Sequence, residues 1–278
     1  MNGLFKTAKN KVELMAILNL SPDSFYAPSH CKNVDQALRQ SYKFIKDGAQ
    51  YLDIGAESSR PGSRPISEED EIQRLAPVVK KLKKEFPDIK LSIDTYKPEA
   101  AKAALDEGAH IINDISGGSL KMLEIISKYK AGVVLMHMKG TPETMQVSPV
   151  YDDLLQEISS FLKQKIENAE NSGIAKEKIW IDPGIGFGKT VDHNLELIAK
   201  LDVFKKLGKP VLLGASRKSF IGEILDQQVG ERLEGSLATA IMGYLKGADI
   251  LRVHDVGATQ RTITMFSALW EKTALEEK

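Results

Sequence analysis

Three short apolar stretches of this chain end in a polar side chain able to recognise a ring: Asp94, Asn113 and Asp182. An ionised carboxylate only accepts hydrogen bonds, whereas an amide both accepts and donates. Together the three match a heterocycle edge that carries ring N–H and exocyclic amine donors beside a carbonyl, and a fused pyrimidine ring has such an edge. A metal site built from the same three is disfavoured, because no histidine joins them at ligand spacing. Further along, the charge changes sign. Ser216, Arg217, Lys218 and Ser219 follow one apolar stretch, and Arg252 and His254 close the last. Cations beside a helix N-terminus suit a phosphate, so a phosphorylated group is expected near Arg252 and His254. His137, within Met136-His137-Met138-Lys139, reads as a strand-end histidine satisfied by its neighbours.

The segment Asp182-Pro-Gly-Ile-Gly-Phe-Gly-Lys189-Thr190 invites two nucleotide-binding readings and fits neither. A phosphate loop needs glycine where Pro183 stands, and a dinucleotide fingerprint needs a different glycine spacing. What remains is an acid followed by a backbone that can approach a flat ligand closely, with Phe187 placed to stack on it.

These residues need a scaffold that converges them. Eight apolar runs, at 14–18, 51–54, 89–93, 110–112, 132–136, 178–181, 210–213 and 249–251, are followed by Asn19, Glu57, Asp94, Asn113, His137, Asp182, Lys218 and the pair Arg252 and His254. Between the runs lie stretches of helical period: Val34, Ala37, Leu38, Tyr42 and Ile45; then Ile72, Leu75, Ala76, Val79, Leu82 and Phe86 after a cap at Ser67; then Leu154, Leu155, Ile158, Phe161, Leu162 and Ile166; and last Ile263, Phe266, Leu269 and Trp270. Gly48, Gly108, Gly173, Gly208 and Gly247 each precede a run by a few residues, as helix-ending glycines do in short connections. Strand and helix alternate throughout, which argues for a parallel sheet. Eight repeats predict an α/β fold of the (β/α)8 TIM-barrel type over an open doubly wound sheet, with all the listed polar ends at the C-terminal mouth, where such barrels do chemistry. Two longer connections, 21–33 and 58–67, would overhang that mouth as lids.

Composition sets the outer bounds. With 278 residues the chain suits a single barrel domain of about 250 residues, and residues 1–10 and 273–278 are expected to fray. The 38 basic residues cancel the 38 acidic ones, so no general field draws in nucleic acid or an anionic membrane. One cysteine, Cys31, allows no internal disulfide and fits a reducing compartment. No run approaches the roughly 20 apolar residues of a membrane span. The expectation is a cytoplasmic protein.

Seven segments together resemble the dihydropteroate synthase family: Asn19-Leu-Ser-Pro-Asp-Ser-Phe25, Asp53-Ile-Gly-Ala-Glu-Ser-Ser-Arg-Pro-Gly62, Ser92-Ile-Asp-Thr-Tyr96, Asn113-Asp-Ile-Ser-Gly-Gly118, Asp182 to Thr190, Ser216-Arg-Lys-Ser-Phe220 and Arg252-Val-His-Asp255. The resemblance implies a cytoplasmic, homodimeric (β/α)8 enzyme of folate biosynthesis. It would condense p-aminobenzoate with 6-hydroxymethyl-7,8-dihydropterin pyrophosphate to give 7,8-dihydropteroate and pyrophosphate, by a dissociative displacement. It implies that Asp94, Asn113, Met136, Asp182, Phe187 and Lys218 bind the pterin. Asn19, Ser59, Arg60, Arg252 and His254 would hold the pyrophosphate, with Mg²⁺ on Asn19. Ser59, Arg60, Pro61, Phe187, Lys218 and Ser219 would surround p-aminobenzoate. The catalytic set would be Asp94, Asp182, Lys218, Arg252 and His254.

This chain departs from the family at Tyr26-Ala-Pro-Ser-His30, where Ala27 takes the place of an acid although Asp23 remains, and at Ala56 and Ser59, which replace a common glycine and threonine. The Arg-Pro-Gly segment is intact, so sulfonamide sensitivity is expected. Two other readings are a pterin-binding methyltransferase, which has no evident need of the Ser-Arg-Lys-Ser segment, and a catalytically silent pterin-binding protein.

Overall fold

The computed structural model of the protein describes residues 12–20, 31, 33–58, 65–141, 144–145 and 149–273. Eight strands alternate with helices: β1 (Glu13–Asn19), α1 (Val34–Lys46), β2 (Tyr51–Gly55), α2 (Glu68–Glu85), β3 (Lys90–Asp94), α3 (Pro98–Asp106), β4 (Ile111–Asp114), α4 (Leu120–Lys128), β5 (Gly132–Met136), α5 (Leu154–Asn171), β6 (Ile179–Asp182), α6 (Val191–Ala199), β7 (Leu212–Leu213), α7 (Ser219–Leu225), α8 (Leu233–Leu245), β8 (Ile250–Val253) and α9 (Val256–Thr273). The ladders are all parallel, in the order β6-β5-β4-β3-β2-β1-β8-β7. A parallel bridge between Ile181 and Val211, and a bond from Ile181 N–H to the Pro210 carbonyl at 3.0 Å, join the two edges. The barrel is therefore observed and the open sheet is not. Two helices, α7 and α8, fill the connection where the simple repeat has one.

Local signals explain most of the helices. Ser67 caps α2, accepting from Asp70 N–H at 3.1 Å, and Glu68, Glu69, Asp70 and Glu71 place negative charge against the positive end of the helix dipole. Its stripe Leu75, Val78, Val79 and Leu82 is buried against the sheet. In α1 the buried side is Ala37, Ser41 and Phe44, and Tyr42 is 60% exposed, so the expected face was rotated by about one position. Leu269 is likewise 57% exposed on α9, while Ile263 is buried and Phe266 stacks on Trp270 at 5.8 Å. Periodicity locates a stripe to within a flank, and a residue on the flank can stay in water at small cost. Thr273, expected to fray, closes α9; residues 1–10 and 274–278 lie outside the described residues.

Inside the barrel two layers of opposite character follow from the two-residue period of a strand. Met15, Tyr51, Ile111, Val134, Leu212 and Ile250 form their own buried cluster, with Trp180 packed against it. Two residues further along the same strands stand Asp53, Asn113, Met136, Asp182 and Arg252. Register brings Asp53 opposite Ser92, Gly55 opposite Asp94, and Asp94 opposite Asn113. The apolar layer is thus a floor, and the next layer toward the C-terminal ends is charged.

Candidate active site

The mouth is organised around Arg252, the third residue of β8. Its Nε donates to Asp53 Oδ2 at 2.5 Å and its Nη2 to Asp94 Oδ2 at 2.5 Å. Asn113 Nδ2 donates to the same Asp53 oxygen at 3.2 Å. A β-carbon placed on Gly214 would lie 3.8 Å from both Asp182 Oδ2 and Arg252 Cδ, and one on Gly55 would lie 3.7 Å from Asp94 Oδ2 and 3.9 Å from Asn19 Oδ1. Those two glycines keep the space between Arg252, Asp182, Asp94 and Asn19 clear of side chain. Asn19, Asp94, Asn113, Asp182 and Arg252, read separately from five strands, therefore meet at one end of the barrel.

The glycine-rich segment after β6 forms one wall. Asp182 Oδ1 accepts from Gly184 N–H at 2.7 Å, which folds the turn back over the strand end. Gly184 has φ of 73° and leaves no room for a side chain, since a β-carbon there would meet the His137 carbonyl at 1.9 Å. This close approach packs the segment against the end of β5, where Met136 is buried. Lys218 reaches across the mouth, donates to the Ile185 carbonyl and lies over the Phe187 ring at 4.4 Å. From below, buried Lys189 bonds the Phe187 carbonyl at 2.9 Å and His137 Nδ1 at 3.0 Å. His137 is satisfied in this way, as its sequence context suggested.

Burial sets the protonation states. It pushes the Asp94 carboxyl up to about 7, with Arg252 acting against the shift and Asp53 with it. Asp182 is also raised by burial, opposed by Lys218 and the Gly184 N–H. Lys218 is lowered to about 8, burial outweighing the pull of Asp182. His254 is pushed down to about 3 by burial and then by Arg252, Arg217 and Lys218, so it is neutral at physiological pH. Its Nδ1 lies 3.0 Å from Ser216 Oγ.

Three sequence expectations need adjustment. Arg217 is not a phosphate-facing cation: its guanidinium bonds Asp255 at 2.7 and 3.0 Å and the carbonyls of Val229 and Gly230 at 2.8 and 3.1 Å, from a backbone with φ of 56°. His254 belongs to the site as a neutral hydrogen-bonding group, not as a charge. Glu57 sits in a separate network at the neck of the second connection. It pairs with Lys97, accepts from Tyr96 Oη at 2.7 Å and from Ile66 N–H at 3.0 Å, while Lys97 also pairs with Glu71 at 2.9 Å. Burial pushes the Cys31 thiol up to about 11, which leaves it protonated and without a nucleophile's role. Ser219 opens α7 on the exposed side. Ser59, Arg60 and Pro61, with Asp23, Ala27 and most of the first connection, lie outside the described residues.

Sequence reasoning missed Asp53 as a site residue and quoted it only within a motif. The available signal was an acid at an inward position of a strand whose neighbours are apolar. It also missed Lys189, whose distance from His137 along the chain hides their contact.

Known proteins supply the family. The model of the family described as pterin binding enzyme matches residues 15–254. Dihydropteroate synthase of Escherichia coli is 43% identical over 256 residues, covering 92% of this chain and 90% of the relative. Among solved structures, a Yersinia pestis dihydropteroate synthase with a sulfonamide drug complex superposes with a TM-score of 0.89 at 41% identity, covering 94% of this chain and 95% of the other. A Clostridium difficile dihydropteroate synthase obtained in the presence of pteroic acid gives a TM-score of 0.85 at 41% identity, with 95% and 98% covered. The chain belongs to the pterin-binding enzyme family and, within it, groups with the dihydropteroate synthases.

Proposed function

We propose that this mouth condenses p-aminobenzoate with 6-hydroxymethyl-7,8-dihydropterin pyrophosphate, releasing pyrophosphate and 7,8-dihydropteroate, as a transferase of folate biosynthesis. The observation that carries the reading is the meeting of Asp94, Asn113 and Asp182 with Arg252 in one barrel mouth, hydrogen-bond acceptors beside a cation. Asp94, Asn113 and Asp182 take the donor edge of the pterin, with Met136, Phe187 and Lys218 around the ring. Arg252 and His254, joined by Asn19, hold the pyrophosphate, His254 through a hydrogen bond. Ser59, Arg60, Pro61 and Ser219, with Phe187 and Lys218, surround p-aminobenzoate.

Charge explains the order of events. The carbon–oxygen bond to pyrophosphate breaks first, leaving a pterin methylene cation that the arylamine nitrogen attacks and to which it transfers its electron pair, losing a proton. Carboxylates of Asp94 and Asp182 beside the ring favour the cation as it develops, and Arg252 favours the departing anion; preorganised groups of this kind are worth roughly 3–4 kcal/mol each. The described mouth sets Arg252 and Lys218 against Asp53, Asp94 and Asp182, two cations against three carboxylates, so a diphosphate needs a cation of its own. No group of three acidic, histidine or cysteine side chains able to hold a metal occurs among the described residues. The family resemblance implies Mg²⁺, an ion commonly held by one or two protein oxygens plus substrate phosphates. Asn19 would hold it, and it would neutralise charge on the leaving pyrophosphate.

No helix among the described residues is long and apolar enough to cross a membrane. The single cysteine, Cys31, and the family resemblance support a place in the cytoplasm. The family supports a homodimer, which would cover some of the exposed apolar side chains Met242, Met265 and Leu269. The test is a product assay. Pyrophosphate release that requires both p-aminobenzoate and the pterin substrate supports the synthase. Methyl transfer to a corrinoid protein, or pterin binding without turnover, would replace it with the methyltransferase or the silent binder.

A further inference from the structure

Asp53 is fully buried in β2, and the activity just described gives it no role. One of its oxygens, Oδ2, receives two donors from the two halves of the site: Asn113 Nδ2 at 3.2 Å and Arg252 Nε at 2.5 Å. The first of these contacts has a consequence for recognition. A free asparagine amide is ambivalent, since rotating it by half a turn exchanges a double donor for an acceptor at little cost. A carboxylate can only accept, so the amide must present its NH₂ to Asp53. Its Oδ1 then points elsewhere as an acceptor. Asn113 Oδ1 is buried and has no hydrogen-bond partner among the described residues. An acceptor kept in that state is costly unless a ligand supplies a donor.

We propose that Asp53 is a positioning residue that locks the Asn113 amide with its carbonyl oxygen toward the ligand, so that with Asp94 and Asp182 the recognition face is made of acceptors alone. Such a face selects a ring edge that presents N–H donors side by side, as a guanidine-like or amidine-like edge does, and rejects one that offers a lone pair at the position facing Asn113. The mismatch places two acceptors against each other in a buried site, and discrimination of this kind is strong. The inference rests on the reading of this mouth as the pterin site.

Two variants at position 53 test it. Asp53→Ala removes the acceptor that holds the Asn113 NH₂, whereas Asp53→Asn keeps an oxygen at the place of Oδ2, held there by the Arg252 Nε that donates to the same atom. Pterin affinity, measured by calorimetry with 6-hydroxymethylpterin, should fall at least about tenfold in Asp53→Ala and stay within about threefold of wild type in Asp53→Asn. Inorganic pyrophosphate with Mg²⁺ is the control: its affinity should change alike in the two variants, because both remove the negative charge beside Arg252. If Asp53→Ala does not fold, Asp53→Asn alone still decides, since a fall beyond about threefold there overturns the inference. Unchanged pterin affinity in Asp53→Ala, or a loss in Asp53→Asn equal to that in Asp53→Ala, would likewise overturn it and leave Asp53 as a charge balance for Arg252. Wild-type protein that binds no pterin would overturn the functional reading itself.

Discussion

Two residues separate the floor of the barrel from its mouth on each strand, and the two layers obey different rules. On β2, β4 and β8 the floor offers Tyr51, Ile111 and Ile250, and the mouth offers Asp53, Asn113 and Arg252. The floor gains from closeness, because each apolar side chain removed from water contributes about 1.5–3 kcal/mol. The mouth gathers buried carboxylates, a lowered lysine and an arginine spread over two acids, and a buried charge costs more to desolvate than a pair of this kind easily returns. Stability is therefore supplied below and spent above. The same β-sheet period that hides methyl groups at one level delivers ionised groups at the next.

That contrast can be broken from either side. The largest effect is expected in the mouth: Lys218→Ala and Asp182→Ala should each lower kcat/KM by about 100-fold or more, since each leaves a buried partner uncompensated. Full activity in both variants would remove the site as drawn. Acidity should come next. An ionised Asp94 is required as an acceptor, and its carboxyl is raised to about 7 by burial, so kcat/KM should decline about tenfold per unit as pH falls below that value. Lys218, lowered to about 8, should add an alkaline limb as it loses its proton. His254, at about 3, should contribute neither limb, and a His254→Gln profile of the same shape would confirm it.

The Asp94 shift acts on stability in the opposite sense. The folded carboxyl keeps its proton to about pH 7 while the unfolded chain releases it near 4, so this group's contribution to stability falls as pH rises through that window. Asp94→Asn, which leaves Arg252 paired with Asp53, should accordingly keep or raise the melting temperature while losing activity, and a clear drop in melting temperature would contradict the contrast. In the floor, Leu212→Ala should cost about 2–5 kcal/mol in denaturant unfolding while the folded fraction turns over normally. The smallest test concerns the arylamine side. Sulfamethoxazole should inhibit in competition with p-aminobenzoate, and uninhibited turnover would show that the intact Arg60-Pro61-Gly62 segment does not confer sensitivity.

Much of this was legible in the residues. Eight apolar runs with polar ends gave the barrel, and Asn19, Asp94, Asn113, Asp182, Lys218, Arg252 and His254 were placed at its mouth by strand order alone. Ser67 was legible as a cap because its hydroxyl and the acids after it act locally. What stayed hidden depends on contacts made at long range along the chain. Arg217 reads as a cation until Asp255, 38 residues on, is seen to hold it. The neutrality of His254 comes from burial among three cations, which no spacing reveals. Asp53 looked like part of a motif because its partners stand 60 and 199 positions away.

The central claim is that a flat donor edge and a diphosphate tail are sorted within one mouth, acceptors at the ring and Arg252 at the tail. The most direct measurement is the crystal structure of the protein soaked with 6-hydroxymethyl-7,8-dihydropterin pyrophosphate and Mg²⁺. The account predicts a ring hydrogen-bonded to Asp94, Asn113 and Asp182, with phosphate oxygens on Arg252 and His254. A ring bound away from these three side chains, or a diphosphate at the opposite end of the barrel from Arg252, would contradict it.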